Sequence, residues 1–256
     1  MSGEFDKKQV IVTGGANGIG RCISEFFLRE TAEVNVIDLD KEAGHQLQAH
    51  NEKLQFFHGD IAEKKVLDHF VNSLNRPVDF LVNNACVSRR GLISGCSYEN
   101  FEYVLRVGVA APYYLTNLLL QSQMLSQGAS IINIVSTRAC QSQPDTESYT
   151  AAKGGIAALT HAMAISLAGR ARVNSISPGW IETAAYRLLN PNNHEHSEQD
   201  KRQHPSGRIG KPEDIAEMEL YLCSEKASFI NGENITVDGG MSRLMVYHND
   251  NGWILH

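Results

Sequence analysis

The chain has 256 residues, 42% of them hydrophobic and 20% charged, which suits one large domain or two small ones with a substantial buried core. A formal net charge of −6 without any basic block argues against nucleic acid or an anionic membrane as the main partner. No run approaches the ~20 apolar residues of a membrane span and no basic, apolar leader opens the sequence, so a cytoplasmic protein is expected.

Val10-Ile11-Val12 reads as a first strand, followed by a glycine-rich turn and a periodic helical segment from Ile19 to Arg29. Val34 to Ile37 is a second strand, with a polar helix from about Asp40 to His50. Leu54 to Phe57 is a third strand, and Ala62 to Leu74 a third helix. Val78 to Val82 forms a fourth strand. A long helix from about Tyr98 to Gln127 follows, broken near Gly108 and Pro112. Ile131 to Val135 is a buried strand ending at Ser136, and the next helix carries Tyr149 and Lys153. Val173 to Ser177 is a further strand, Pro212 to Cys223 a helix opened by proline and acidic residues, and Ile235 to Val237 a last short strand.

This alternation implies an α/β fold: a doubly wound sheet of about seven parallel strands with helices on both faces. No linker divides residues 1–256, so a single domain is expected. Residues 184–207 break the rhythm with a polar, turn-rich stretch. They suggest a substrate lid, the plainer alternative being a solvated loop.

Tyr149 and Lys153 are four apart in YTAAKGGIAAL, so both face one side of a helix. An ammonium one turn from a phenol favours the phenolate, which suits acid–base work. Ser136 would stand at the C-terminal end of a strand, where open α/β sheets place ligands. A donor, an acid and a cation could then surround one carbonyl oxygen. Taken alone, a tyrosine and lysine at this spacing also describe an ordinary surface pair. Gly14, Asn17, Gly18, Ile19 and Gly20 lie between the first strand and first helix, where glycines let the backbone approach a pyrophosphate at the helix N-terminus. Asp38 ends the second strand eighteen residues beyond Gly20. A carboxylate there can accept from the adenosine ribose hydroxyls and repel a 2′-phosphate, which favours NAD(H) over NADP(H). The five cysteines lack CxxC spacing and read as reduced thiols. The ten histidines form no metal-ligand pattern, so no metal is expected.

With these motifs in order, the chain resembles the short-chain dehydrogenase/reductase family almost end to end. TGGANGIG is similar to the family's cofactor loop. His58-Gly59-Asp60-Ile61 is similar to its adenine-contacting segment, with Asp60 as the adenine's amide partner. Asn83-Asn84-Ala85-Cys86 resembles its N-N-A-G element, with Cys86 at the usual glycine. The thirteen-residue interval from Ser136 to Tyr149 matches the family's. Pro178-Gly179-Trp180-Ile181-Glu182-Thr183 resembles its nicotinamide-side loop, where Ile181 and Thr183 would hold the carboxamide. The resemblance implies that Ser136 binds the substrate oxygen, Tyr149 exchanges its proton, and Lys153 supports Tyr149 and binds the nicotinamide ribose. It further implies a homotetramer or homodimer.

One departure stands out. In Phe101-Glu102-Tyr103-Val104-Leu105-Arg106-Val107-Gly108, Gly108 occupies a position where the family commonly has an asparagine that orders a water behind the lysine. A working enzyme with a backbone-held water and a weakened dinucleotide-binding protein are both compatible with that change. Cys86 and Cys140 are expected near the pocket as small buried packing groups. Arg89, Arg90 and Arg138 are candidates for an anionic substrate group, against a plainer reading as solvated arginines. His194, His196 and His204 are expected to face solvent. The apolar tail, 241–256, is expected to seek burial across a subunit interface or on its own subunit. The leading expectation is an NAD(H)-dependent oxidoreductase interconverting a small secondary alcohol and a ketone, and the runner-up is a 3-oxoacyl-thioester reductase.

Overall fold

The computed structural model describes residues 3–188 and 195–245. Seven strands form one sheet: β1 (Gln9–Thr13), β2 (Glu33–Asp38), β3 (Leu54–His58), β4 (Val78–Asn83), β5 (Leu125–Ile134), β6 (Ala171–Pro178) and β7 (Asn234–Val237). All neighbours are parallel, in the order β3-β2-β1-β4-β5-β6-β7. The helices are α1 (Gly18–Arg29), α2 (Lys41–Ala49), α3 (Lys64–Ser73), α4 (Tyr98–Leu105), α5 (Ala111–Gln121), α6 (Glu147–Ser166), α7 (Glu198–Arg202) and α8 (Pro212–Cys223).

The sheet's burial on both faces explains its composition. Side chains alternate along a strand, so Val10 and Val12 enter one core with Phe27 of α1 and Ile215 and Leu222 of α8. Ile11 enters the opposite core with Phe70 of α3, Leu115 of α5 and Met163 of α6. A strand packed on both faces reads as an unbroken apolar run, and β1 is buried at all five positions. The chain leaves β1 for β2 and β3 on one side, then returns to lay β4 against its other edge. That reversal opens a crevice at the strands' C-terminal ends, between β1 and β4, and the site forms there.

Two boundaries differ from the sequence-based expectation, and the expected break in the long helix takes a specific form. The long helix ends at Gln121 rather than near Gln127, because the chain turns through Gln123 in a left-handed conformation (φ 58°) and β5 already begins at Leu125. The break near Gly108 is a π-helical turn, Arg106–Ala110, with Pro112 in the first turn of α5. Ser136 lies two residues beyond the end of β5, where it opens a 3₁₀ turn, Thr137–Ala139.

The described part of 184–207 contains a 3₁₀ turn, Ala184–Tyr186, and α7, which a Ser197–Asp200 capping box starts. Contrary to expectation, His196 and His204 do not face solvent but pack about Trp180. His204 is 2% exposed and its ring lies 6.1 Å from the indole, while the His196 ring stands edge-on at 5.4 Å. His194 lies outside the described residues, as does most of the tail, 246–256; Leu244 and Met245 are exposed. Cys140 is exposed rather than a buried packing group, and Cys86 is half-buried.

Candidate active site

The first wall of the crevice is the loop after β1. Gly14 has φ +64°, and a Cβ there would meet Ala85 Cα at 2.8 Å. A Cβ on Gly20 would lie 2.1 Å from the Gly14 carbonyl oxygen. These two positions need glycine so that the loop can close on the start of α1 and leave backbone N–H groups bare. Polar bonds fix the loop from three directions. Asn84 Nδ2 donates to the carbonyls of Thr13 (3.0 Å) and Gly14 (2.9 Å), while the Asn84 and Ala85 N–H groups donate to Thr13 Oγ1 at 3.1 Å each. The Asp38 carboxylate accepts from Ala16 N–H (2.9 Å) and Asp40 N–H (3.0 Å). Asn17 donates to Asp40 Oδ2 at 2.9 Å and accepts the Leu188 N–H at 3.1 Å, tying the loop to the root of the 184–207 segment.

The second wall follows β3. Asp60 accepts the Ala62 N–H and the Tyr103 hydroxyl, both at 2.9 Å. Burial and the neighbouring Asp60 carboxylate push the Tyr103 phenol above its ordinary range. Asp60 therefore reaches the cleft with its side chain already engaged, a use of Tyr103 that sequence reasoning did not find.

The third wall carries the proton-transfer candidates. Ser136 and Lys153 are buried, and Tyr149 is half-buried one turn before Lys153 on α6. Lys153 Nζ donates to the Ile134 carbonyl at 2.6 Å and lies 5.6 Å from the centre of the Tyr149 ring. That bond ties α6 to the end of β5 and so fixes the lysine beside the phenol. Behind it runs a buried chain in which Asn83 Nδ2 donates to Asn133 Oδ1 (2.8 Å), Asn133 Nδ2 to Thr160 Oγ1 (2.9 Å), and Thr160 to the Ile156 carbonyl (2.8 Å). The π-turn packs against α6 at the same level, and its Val107 lines the cleft. A π-turn adds a residue to the helical repeat and often marks a working site.

The fourth wall is the loop after β6. Ile181 pairs with Gly210 in an isolated bridge, which holds Pro178 to Thr183 against the cleft. Glu182 accepts the Ala184 N–H at 2.8 Å and lies 3.0 Å from His196 Nε2. Burial alone would raise the Glu182 carboxyl, but the Ala184 N–H and His196 outweigh it and hold it below the usual carboxylate range. The Thr183 hydroxyl accepts from Arg187 at 3.0 Å.

These walls enclose one cavity of about 430 Å³. Gly14, Asn17, Ile19, Gly20, Asp38, Asp60, Ile61, Asn84, Ala85, Ser136, Tyr149, Lys153, Pro178, Ile181 and Thr183 all line it. Gly18 does not; it turns the chain behind the loop with φ +58°. Leu39, Cys86 and Val107 line the cavity as well. Leu39 directly follows Asp38, a position that marked it as a neighbour of the cleft.

A family model described as enoyl-(acyl carrier protein) reductase matches residues 14–242, which span all four walls. This chain belongs to the short-chain dehydrogenase/reductase family. An uncharacterized oxidoreductase of Thermotoga maritima is 40% identical over 95% of this chain and 99% of its own length. A 3-oxoacyl-(acyl-carrier-protein) reductase of Chlamydia pneumoniae is 33% identical over 92% of this chain and 97% of its own. Among solved structures, an SCOR enzyme of Clostridium thermocellum in its apo form is 43% identical, superposes with a TM-score of 0.87, and covers 97% of this chain and 98% of its own. The protein is accordingly an oxidoreductase of short-chain dehydrogenase/reductase type. Among the described residues, no helix is long and apolar enough to cross a membrane.

Proposed function

We propose that this protein interconverts a small secondary alcohol and its ketone with NAD(H), and that Tyr149 exchanges the hydroxyl proton. The observation that carries this reading is the convergence of Ser136, Tyr149 and Lys153 on the same cavity as the glycine loop. The residues fit a dinucleotide: Gly14 and Gly20, where a Cβ would strike Ala85 and the Gly14 carbonyl, let the loop close tightly at the N-terminus of α1, where a pyrophosphate can approach the backbone. Asp38 lines the cavity at the end of β2, and its charge favours a free ribose hydroxyl over a 2′-phosphate there.

A bound nicotinamide supplies the acceptor for the carbinol hydrogen and its electron pair when the alcohol is oxidised, and returns them when the ketone is reduced. The chain's own residues do the rest. Ser136 Oγ donates to the substrate oxygen and fixes its position. Tyr149 takes the hydroxyl proton during oxidation and returns it during reduction. Lys153, anchored to the Ile134 carbonyl, places positive charge beside the phenolate that forms. Ile181 and Thr183 line the same cavity, and the Ile181 backbone and Thr183 would hold the carboxamide.

The test is fluorescence titration with NADH and with NADPH, followed by turnover of a mixed panel of secondary alcohols and ketones by the wild type and Tyr149→Phe. Tighter NADH binding with turnover lost in the variant supports the reading. Binding without turnover of any substrate would overturn the enzymatic part and leave a dinucleotide-binding protein. A second reading, reduction of a 3-oxoacyl thioester, draws on the likeness to the Chlamydia pneumoniae reductase. Preferred reduction of acetoacetyl thioester over simple ketones would favour it.

A further inference from the structure

We infer that Arg138 selects substrates carrying a carboxylate near the reacting alcohol, so that the substrate class is short hydroxy acids and the matching oxo acids. This rests on the reading above, in which Tyr149 and Ser136 hold the reacting oxygen.

Arg138 lies in the 3₁₀ turn Thr137–Ala139, and its N–H donates to Ser136 Oγ at 3.2 Å. Its guanidinium carbon stands 5.8 Å from the centre of the Tyr149 ring. The two residues assigned to the substrate oxygen thus locate Arg138 from both ends, backbone and side chain. Arg138 does not itself line the cavity, but its guanidinium stands over the ring whose hydroxyl the reading above assigns to the reacting oxygen.

The fork has been left without an acceptor. Four described arginines are half-buried: Arg21, Arg76, Arg138 and Arg172. Arg21 meets Glu25 at 2.9 Å, Arg76 meets Glu33 at 2.8 Å, and Arg172 donates to the carbonyls of Leu222, Ser224 and Ile230. Among the described residues, Arg138 alone of the four forms no ion pair and no side-chain hydrogen bond, and its guanidinium stands over the Tyr149 ring. Stacking on a ring leaves the five N–H donors of a guanidinium unspent, and a half-buried cation with unspent donors favours a planar anion.

The charge count points to a carboxylate. Lys153 is engaged with the Ile134 carbonyl, and the Arg89 guanidinium lies over a different ring, Tyr103, at 5.5 Å. Arg90 is exposed, so among the described residues Arg138 is the one half-buried guanidinium without an acceptor, and it matches one negative charge, as on a carboxylate.

Acetoacetate and methyl acetoacetate differ only in that charge. Calorimetric titration of each into the protein, with and without NAD⁺, is the binding arm; turnover of 3-hydroxybutyrate and its methyl ester is the kinetic arm. Acetoacetate should bind about tenfold tighter than the ester. 3-Hydroxybutyrate should show a lower KM than its ester at similar kcat. In Arg138→Met both acid-to-ester ratios should fall to about one, and Arg138→Lys should restore part of the difference. Equal binding of acid and ester, no acetoacetate binding, or an unchanged ratio in Arg138→Met would overturn the proposal. The two readings fail separately. Turnover of both compounds without preference sinks the role of Arg138 and leaves the alcohol–ketone reading. Arg138-dependent acetoacetate binding without turnover does the reverse.

Discussion

Gly108 and Ala152 lie so close that a Cβ on the glycine would stand 2.9 Å from the alanine Cβ. The π-turn and α6 meet at this point, one residue before Lys153. The missing side chain at Gly108 is therefore a packing requirement of this helix pair as well as a departure from the family pattern. Gly108→Asn should cost about 1–3 kcal/mol by overpacking. It should lower the thermal midpoint by about 2–4 °C for each kcal/mol and leave kcat no higher. Adding Ala152→Gly should recover part of the stability. Thermal melts and kcat for the two variants check both statements.

Removing the phenol oxygen tests the proton step with little disturbance of packing. Tyr149→Phe should reduce kcat/KM by about 10²–10⁴ while NADH binding persists. Ser136→Ala should cost about 10²–10³ in kcat, as loss of a donor aimed at the reacting oxygen does. Unchanged kcat in either variant would remove that residue from the mechanism.

Asp38 has two tasks that substitutions can separate. Its carboxylate holds the N–H groups of Ala16 and Asp40, and under the proposed function its charge disfavours a 2′-phosphate. Asp38→Asn keeps an acceptor and loses the charge, so it should relax the preference for NADH over NADPH by about tenfold with little loss of stability. Asp38→Ala strands both N–H groups and should cost about 1–3 kcal/mol. KM for the two cofactors, set beside denaturant midpoints, distinguishes the tasks.

Glu219 of α8 makes stability depend on pH far from the cleft. It is completely buried, Cys223 Sγ is its one side-chain partner among the described residues at 3.8 Å, and burial pushes its carboxyl from the ordinary 4.5 up to about 8. The folded state therefore holds a proton that the unfolded chain releases earlier. The contribution is whole below about pH 4.5 and is lost as pH rises through about 8. Urea denaturation from pH 5 to 8.5 should show wild type losing stability relative to Glu219→Gln, by as much as several kcal/mol. Parallel curves for the two proteins would contradict a protonated Glu219.

The strands were legible because a doubly covered parallel sheet leaves apolar runs, unbroken in Val10-Ile11-Val12 and interrupted only by Asn133 in Ile131 to Val135. The walls of the cavity were legible because a loop that must close tightly needs glycine at Gly14 and Gly20. What escaped depended on contacts distant in sequence. A break near Gly108 was legible, but its π-helical form has no local pattern of its own. His204 is polar and lies in a polar stretch, and its burial depends on Trp180, which arrives from β6. The end of α5 differs from expectation because Leu118-Leu119-Leu120 and Met124-Leu125 flank only the short polar Gln121-Ser122-Gln123, and the turn at Gln123 carries neither glycine nor proline. Tyr103 became part of the site only once α4 was laid beside Asp60.

The Asn17 side chain grips Asp40 with one end and the Leu188 N–H with the other. A dinucleotide settling on the glycine loop would stiffen the residue on which the 184–207 segment is hung. Such a linkage implies an order of events: cofactor enters first and leaves last, and the organic substrate comes and goes in between. Product-inhibition patterns would then be competitive between the two cofactor forms and mixed for the other pairs. Asn17→Ala would loosen that sequence toward random addition.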